Sequence, residues 1–214
     1  MGLDSFKTGS SSSTDIPSGH VDLDRSEVLR RIPHIDKIDN DLIRHGTVKL
    51  TQTSPEYFWN VPASSSGYHN EICRDEHGLW AHTLMVATAV ERLSKSYVNQ
   101  GLISKYDADC ARSAAILHDQ RKNGNPKDPH YKSTSDHDVR MARVIKNKSD
   151  LPSQVSSSVM SHMGPWYDGP NPSSELDKLV HNADMVASTN SITADIYGDV
   201  PDELYNIGVR SYNS

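Results

Sequence analysis

Apolar residues recur at helical steps along almost the whole chain, and Gly, Pro and Ser clusters punctuate them as they would in a helical domain. Ser26 to Ile32 reads as a short helix ended by Pro33, and Asp36 to about His45 as a second, with Gly46 as its stop. Lys49 to Ser66 is less regular and gathers Tyr57, Phe58 and Trp59 before Pro62 breaks the pattern. The strongest helix runs from about Leu79 to Val98, where Leu79, Leu84, Val86, Val90 and Leu93 mark a buried face. Another runs from about Lys105 to His118 with Ala108, Ala111, Ala115 and Ile116 as its small apolar face. Gln120 to Thr134, holding Gly124, Pro126 and Pro129, reads as a loop. Helical patterns resume at Asp136 to Ile145, at Ser153 to Met163 behind Pro152, and at Ser174 to about Ala187. No repeat and no run of alternating strand positions interrupts this order. The pattern predicts an all-α domain of about seven helices.

The first twenty residues depart from it. Met1 to about His20 is rich in Ser, Gly and Thr and has no apolar period, so residues 1–20 are expected to be a disordered tail and 21–214 the folded domain. No continuous apolar stretch follows Met1, which argues against a secretory signal, and Phe6 spoils a myristoylation site at Gly2. No segment approaches the roughly 18 apolar residues that span a bilayer, so no membrane partner is expected. The 214 residues carry a net charge of -6, against the basic balance of a non-specific nucleic-acid binder, although Arg121, Lys122, Lys127 and Lys132 form a local basic stretch. Cys73 and Cys110 are too few for a disulfide framework and suggest a reducing, cytoplasmic setting.

Chemistry concentrates at His118-Asp119, set where the apolar run Ala114-Ala115-Ile116-Leu117 ends. Polar groups at the edge of a core must be satisfied by each other, by water or by a metal. His82, His137, His162 and Asp184 stand about a helix plus a loop apart along the chain, so antiparallel helices would bring one side chain each to a shared interior site. Mixed His and Asp donors suit divalent Mn, Fe, Zn, Ni or Mg. Taken singly, each of the eleven histidines reads equally well as a satisfied or surface residue.

Local context raises the joint reading. The segments GLWAHT (78–83), AAILHDQRKNG (114–124), DHDVRMA (136–142), SHMGPW (161–166) and ADMVAS (183–188) follow one another in the order His, His-Asp, His, His, Asp. In this they resemble the HD-domain superfamily of metal-dependent phosphohydrolases, over about residues 68–188. Within it the chain is most similar to the HD domains of bacterial 3'-to-5' exoribonucleases. Tyr68-His69-Asn70 places a histidine before the first ligand helix, and His162 to Trp166 forms a His-x-Gly-x-Trp element. The nucleic-acid-binding module of those enzymes has no counterpart in residues 1–60.

The resemblance implies a helical bundle with the metal site in its interior and one or two divalent ions per chain. His82, His118, Asp119 and Asp184 would hold a first metal, and Asp119 would bridge to a second held by His137 and His162. Lys122 falls where the family often has a lysine in a His-Asp-x-Gly-Lys pattern, with Arg121 in place of the glycine.

A bound divalent ion lowers the pKa of its water, and two ions about 3.5–4 Å apart would present hydroxide to phosphorus. Asp119 and Lys122 are the expected catalytic residues, Lys122 neutralising charge on phosphoryl oxygens unless it is a solvated loop lysine. His69 is expected to contact substrate or protonate the leaving group, the alternative being a surface loop histidine. Trp166 would stack on a base or plug the bundle's end. His181 reads as a histidine behind the ligands or partly exposed, and His20, His34, His45, His77 and His130 as surface residues. The function expected is hydrolysis of a small phosphorylated substrate, a nucleotide or related ester. The alternatives are a 3'-to-5' exonuclease on single-stranded nucleic acid and a non-catalytic nucleotide-binding protein. Specificity is expected in the loops Asn60 to Glu76 and Gln120 to Thr134.

Overall fold

Helix α4 (Gly78–Asn99) is the hub of the computed structural model, which describes residues 16–64, 69–167, 169–190 and 192–212. Its first three turns, Gly78 to Thr88, are buried on every side, as expected of a helix inside a bundle. Around it stand α1 (Arg25–Arg31), α2 (Asp41–Gln52), α3 (Glu56–Asn60), α5 (Lys105–Leu117), α6 (His137–Lys148), α7 (Ser153–Ser161), α8 (Glu175–Ala187) and α9 (Asp202–Asn206). α4 packs on α5 and α8, α5 reaches α7 and α2, and α6 lies against α7. Two-residue ladders pair β1 (Gly124–Asn125) antiparallel with β2 (Asp128–Pro129) and β3 (Asp195–Ile196) parallel with β4 (Arg210–Ser211). The fold is all-α as expected. No helix among the described residues is long and apolar enough to cross a membrane.

The caps explain where the helices start. Ser104 and Asp107 form a reciprocal capping box on α5, and Ser174 and Asp177 form another on α8. Before α4 the chain turns sharply: His77 takes φ 64° and its Nδ1 donates to the Trp59 carbonyl at 2.6 Å, so it is half-buried rather than a surface histidine. A Cβ at Gly78 would lie 2.3 Å from the Cys73 carbonyl oxygen, so only glycine fits that entry.

Several expectations are corrected. The nine α-helices among the described residues exceed the expected seven because Glu56–Asn60 and Asp202–Asn206 add two short ones, each opened by a proline. The second helix starts at Asp41 instead of Asp36, behind a 3₁₀ turn at Pro33–Lys37. Asn40 caps it through Leu42 and Ile43 N–H, while the Asp109 carboxylate on α5 accepts the N–H groups of Asp39 and Asn40. Gly46 lies inside this helix and does not stop it. A Cβ there would come within 2.7 Å of Leu151 Cδ2, so its role is a close approach between segments.

Of the expected tail, residues 1–15 lie outside the described residues. Ile16 to His20 are placed: Ile16 packs on the core, Gly19 N–H donates to the Pro126 carbonyl at 2.6 Å, and His20 pairs with Pro55. The basic stretch is also divided, with Arg121 and Lys122 buried and Lys127 and Lys132 exposed.

His34 is buried instead of lying at the surface, with Nε2 2.7 Å from the Thr88 hydroxyl. Burial pushes its pKa down to about 3, with a smaller push from Lys37. Below the unfolded value of about 6.5 the unfolded chain binds a proton here that the native state refuses. Stability therefore falls as pH drops from about 6.5 towards 3, by about 2 kcal/mol between pH 7 and pH 5. Urea denaturation at these two pH values should show His34→Gln losing less stability than the unsubstituted protein; equal losses would contradict the assignment.

Candidate metal centre

Five helical elements bring six donors to one buried point. His82 lies in the second turn of α4, His118 caps the end of α5 with Asp119 next, His137 opens α6, His162 ends α7, and Asp184 sits in α8. None is more than 4 % exposed.

Three of the rings are oriented by the same local device. Nδ1 of His118 donates to the Ala115 carbonyl at 2.7 Å, that of His137 to Thr134 at 2.8 Å, and that of His162 to Val159 at 2.6 Å. A carbonyl only accepts, so each Nδ1 carries the proton and each Nε2 is left to face the interior. His82 has neither nitrogen hydrogen-bonded, although its Nε2 stands 3.0 Å from Asp184 Oδ1 without hydrogen-bond alignment.

Asp119 divides its two oxygens. Oδ1 faces His137 Nε2 at 3.2 Å and His162 Nε2 at 3.6 Å. Oδ2 faces His118 Nε2 at 3.5 Å and His82 Nε2 at 3.9 Å, and takes an ion pair from Lys122 Nζ at 2.5 Å. Two overlapping triads result, His82–His118–Asp184 and His118–Asp119–His162, with the donor atoms of each within 4.8 Å of one another. His137 belongs to neither triad and joins the cluster through Asp119 Oδ1.

The Nε2 atoms of all four histidines and Asp119 Oδ1 are buried without a hydrogen-bond partner. Bare nitrogens facing a bare carboxylate oxygen at these distances repel each other unless a cation lies between them. The protonation states agree with that. Burial opposes ionisation of Asp119, but Lys122 and His118 outweigh it and hold the carboxyl well below its usual range. At Asp184 burial is likewise outweighed, by His82. Burial pushes His82 and His162 down, leaving neutral imidazoles, while Asp119 outweighs burial at His118 and draws it up. Anionic carboxylates with neutral imidazoles, the state of Asp119, Asp184, His82 and His162, are the form in which these groups ligate, and a cation displacing the His118 proton would complete it. The donor set fits a divalent metal.

A cavity of about 1100 Å³ opens beside the cluster, with Asp184, Lys122 and His69 in its wall. The Lys122 ammonium is buried, and the carboxylates of Asp119 and Asp184 overcome the effect of burial to hold it charged. His69 stacks edge-on against His82 at 4.8 Å, and burial pulls it down to about 3. Trp166 lines the cavity and is 70 % exposed, so it plugs nothing. Arg121 is absent from the cavity wall, and His181 stands behind the cluster, its Nδ1 donating to the His162 carbonyl at 2.6 Å.

The family model described as the HD domain matches residues 79–189, just over half of the chain. The chain belongs to the HD-domain family. HD domains are in general metal-dependent phosphohydrolases that bind divalent ions, and His82, His118, Asp119, His137, His162 and Asp184 of this HD domain all fall within the match. No curated protein and no solved structure matches the chain.

Sequence reasoning passed over three residues of the site. Tyr167 lines the cavity with its ring 5.3 Å from that of His137, and only its place next to Trp166 could have suggested it. Ser188 Oγ lies 3.5 Å from both His69 Nε2 and Asp184 Oδ1, and Asn123 forms part of the wall beside Lys122.

Proposed function

We propose that this HD domain hydrolyses a small phosphate ester, a nucleotide or related compound, with one or two divalent ions held by His82, His118, Asp119, His137, His162 and Asp184. The division of Asp119 carries the proposal: one carboxylate oxygen faces His137 and His162, the other His82 and His118, which is how a carboxylate shared by two ions would stand. Mn, Fe, Ni, Zn and Mg all suit such donors. When bound, the metal supplies a water acidic enough to attack phosphorus near neutral pH.

The chain's own residues do the rest. Lys122 offers a buried positive charge at the cavity's inner end, where a phosphoryl group would carry its negative oxygens. His69, held neutral by burial, contacts the substrate as a hydrogen-bonding group beside His82. Trp166 presents a free aromatic face to the organic part. The buried, unpaired Cys73 and Cys110 suit a reducing cytoplasm.

Elemental analysis of the purified protein is the direct test. One or two transition ions per chain are expected, with turnover of an aryl phosphate or a nucleotide lost on chelation and regained with Mn²⁺. A folded protein that takes up no divalent ion would remove the proposal.

A further inference from the structure

We infer that the substrate is a phosphomonoester: one phosphoryl group on a bulky, largely uncharged body with an aromatic face, not a polyphosphate or a nucleic-acid strand. The inference presupposes the phosphohydrolase activity proposed above and adds the shape and charge of what is hydrolysed.

The cavity is chemically polarised. Its inner end meets the cluster through Lys122, Asp184 and His69. Beyond them Val61, Pro62 and Ala63 line it from the segment after α3, together with Met163 and Met185. Ile16 and Pro17 add to this apolar wall, held there by the backbone bonds of Gly19. Such surface gives phosphate oxygens no hydrogen bonds, so a phosphate lying along it would lose its hydration without replacement.

Charge points the same way. Among the described residues, the ionic side chains of the wall are two lysines, Lys122 and Lys132, against the two carboxylates Glu76 and Asp184. Lys122, paired with Asp119 at 2.5 Å, is the cation at the inner end. Outside the cluster, the wall holds one exposed lysine, Lys132, and one exposed carboxylate, Glu76, so it has no net charge there. One phosphoryl group can be neutralised at the inner end; a second or third would extend along a wall whose described residues carry no net positive charge. A strand would need a basic track, and the chain carries a net charge of -6.

The body is defined by the remaining space. About 1100 Å³ is just above the usual range of pockets that enclose a whole drug-sized ligand. Trp166 and Tyr131, 70 % and 55 % exposed, offer flat aromatic surface to it. In the reaction the water oxygen bonds to phosphorus as the ester P–O bond breaks. That bond's electron pair goes to the departing oxygen, which takes up a proton, so the products are inorganic phosphate and an alcohol.

The test is a matched series on the full chain with Mn²⁺: a nucleoside mono-, di- and triphosphate, glycerol phosphate, and a short single-stranded oligonucleotide. The nucleoside monophosphate should exceed the triphosphate and the oligonucleotide at least tenfold in kcat/KM. Trp166→Ala should raise its KM about tenfold and so narrow its advantage over glycerol phosphate. Preference for the triphosphate or the strand would overturn the inference while leaving phosphohydrolase activity standing. Binding is read independently, because Trp59 and Trp80 are 2 % and 1 % exposed, so Trp166 is the tryptophan that a ligand can quench. If no ester turns over, the phosphohydrolase proposal fails. Quenching by the monophosphate but not the triphosphate, absent in Trp166→Ala, would still support the selectivity, and equal or reversed quenching would refute it.

Discussion

Asp119→Asn is expected to lower kcat/KM at least about a thousandfold, or about 4 kcal/mol of transition-state stabilisation, with the helical fold retained. The asparagine keeps the shape and one carbonyl oxygen but removes the charge that faces four imidazoles and Lys122. It also replaces an acceptor-only group by one whose NH₂ must point at a histidine nitrogen or at the lysine. Asparagine is the better probe than alanine, because truncation would leave the buried Lys122 ammonium wholly unpaired and confound lost function with unfolding. Metal content, far-UV circular dichroism and kinetics on the same preparation separate the two. A folded variant within tenfold of normal activity would exclude Asp119 from the chemistry.

Gly78→Ala is expected to destabilise the fold by about 3 kcal/mol, although helix propensity alone favours alanine by about 1 kcal/mol. Sterics decide the sign. The new methyl would lie 2.3 Å from the Cys73 carbonyl oxygen and 2.6 Å from its carbonyl carbon, and neither is the movable end of a side chain. That backbone is itself tied down, since Cys73 O accepts from Ala63 N–H at 2.8 Å and Cys73 N–H donates to Asn70 at 2.9 Å. Relief requires moving the start of α4, one turn before His82, so metal uptake should weaken together with stability. Urea denaturation settles it: a loss under 1 kcal/mol, or a gain, would show that the entry to α4 gives way easily.

The central helices are legible in the sequence because their signals are local. Apolar period and Pro152 at the head of α7 place α4 to α8 to within a few residues. The order of His and Asp residues is equally local, and the structure brings all six together, with Lys122 and His69 beside them. What escapes the sequence depends on partners far along the chain. The start of α2 is set by Asp109, about seventy residues away, and Gly46 answers to Leu151. His34 is buried because Thr88 meets it across the core. Arg121 and Lys122 resemble a solvated loop pair in sequence, yet the turns after α5 fold them inward. The contribution of Ile16 and Pro17 to the cavity wall depends on Gly19 pairing with Pro126, which no periodicity reveals.

The three bonds from histidine Nδ1 to the carbonyl three residues earlier have a consequence for how this protein tolerates change. The rings of His118 and His162 take their aim from the helical turn that carries them, while that of His137 is held by Thr134 at the end of the loop before α6. Lengthening or shortening a connecting loop can shift a whole helix, but it does not rotate the first two imidazoles on their own backbone. The directions of His118 and His162 are thus modular, and loops free to vary can reshape what enters the cavity while these two rings keep their bearing.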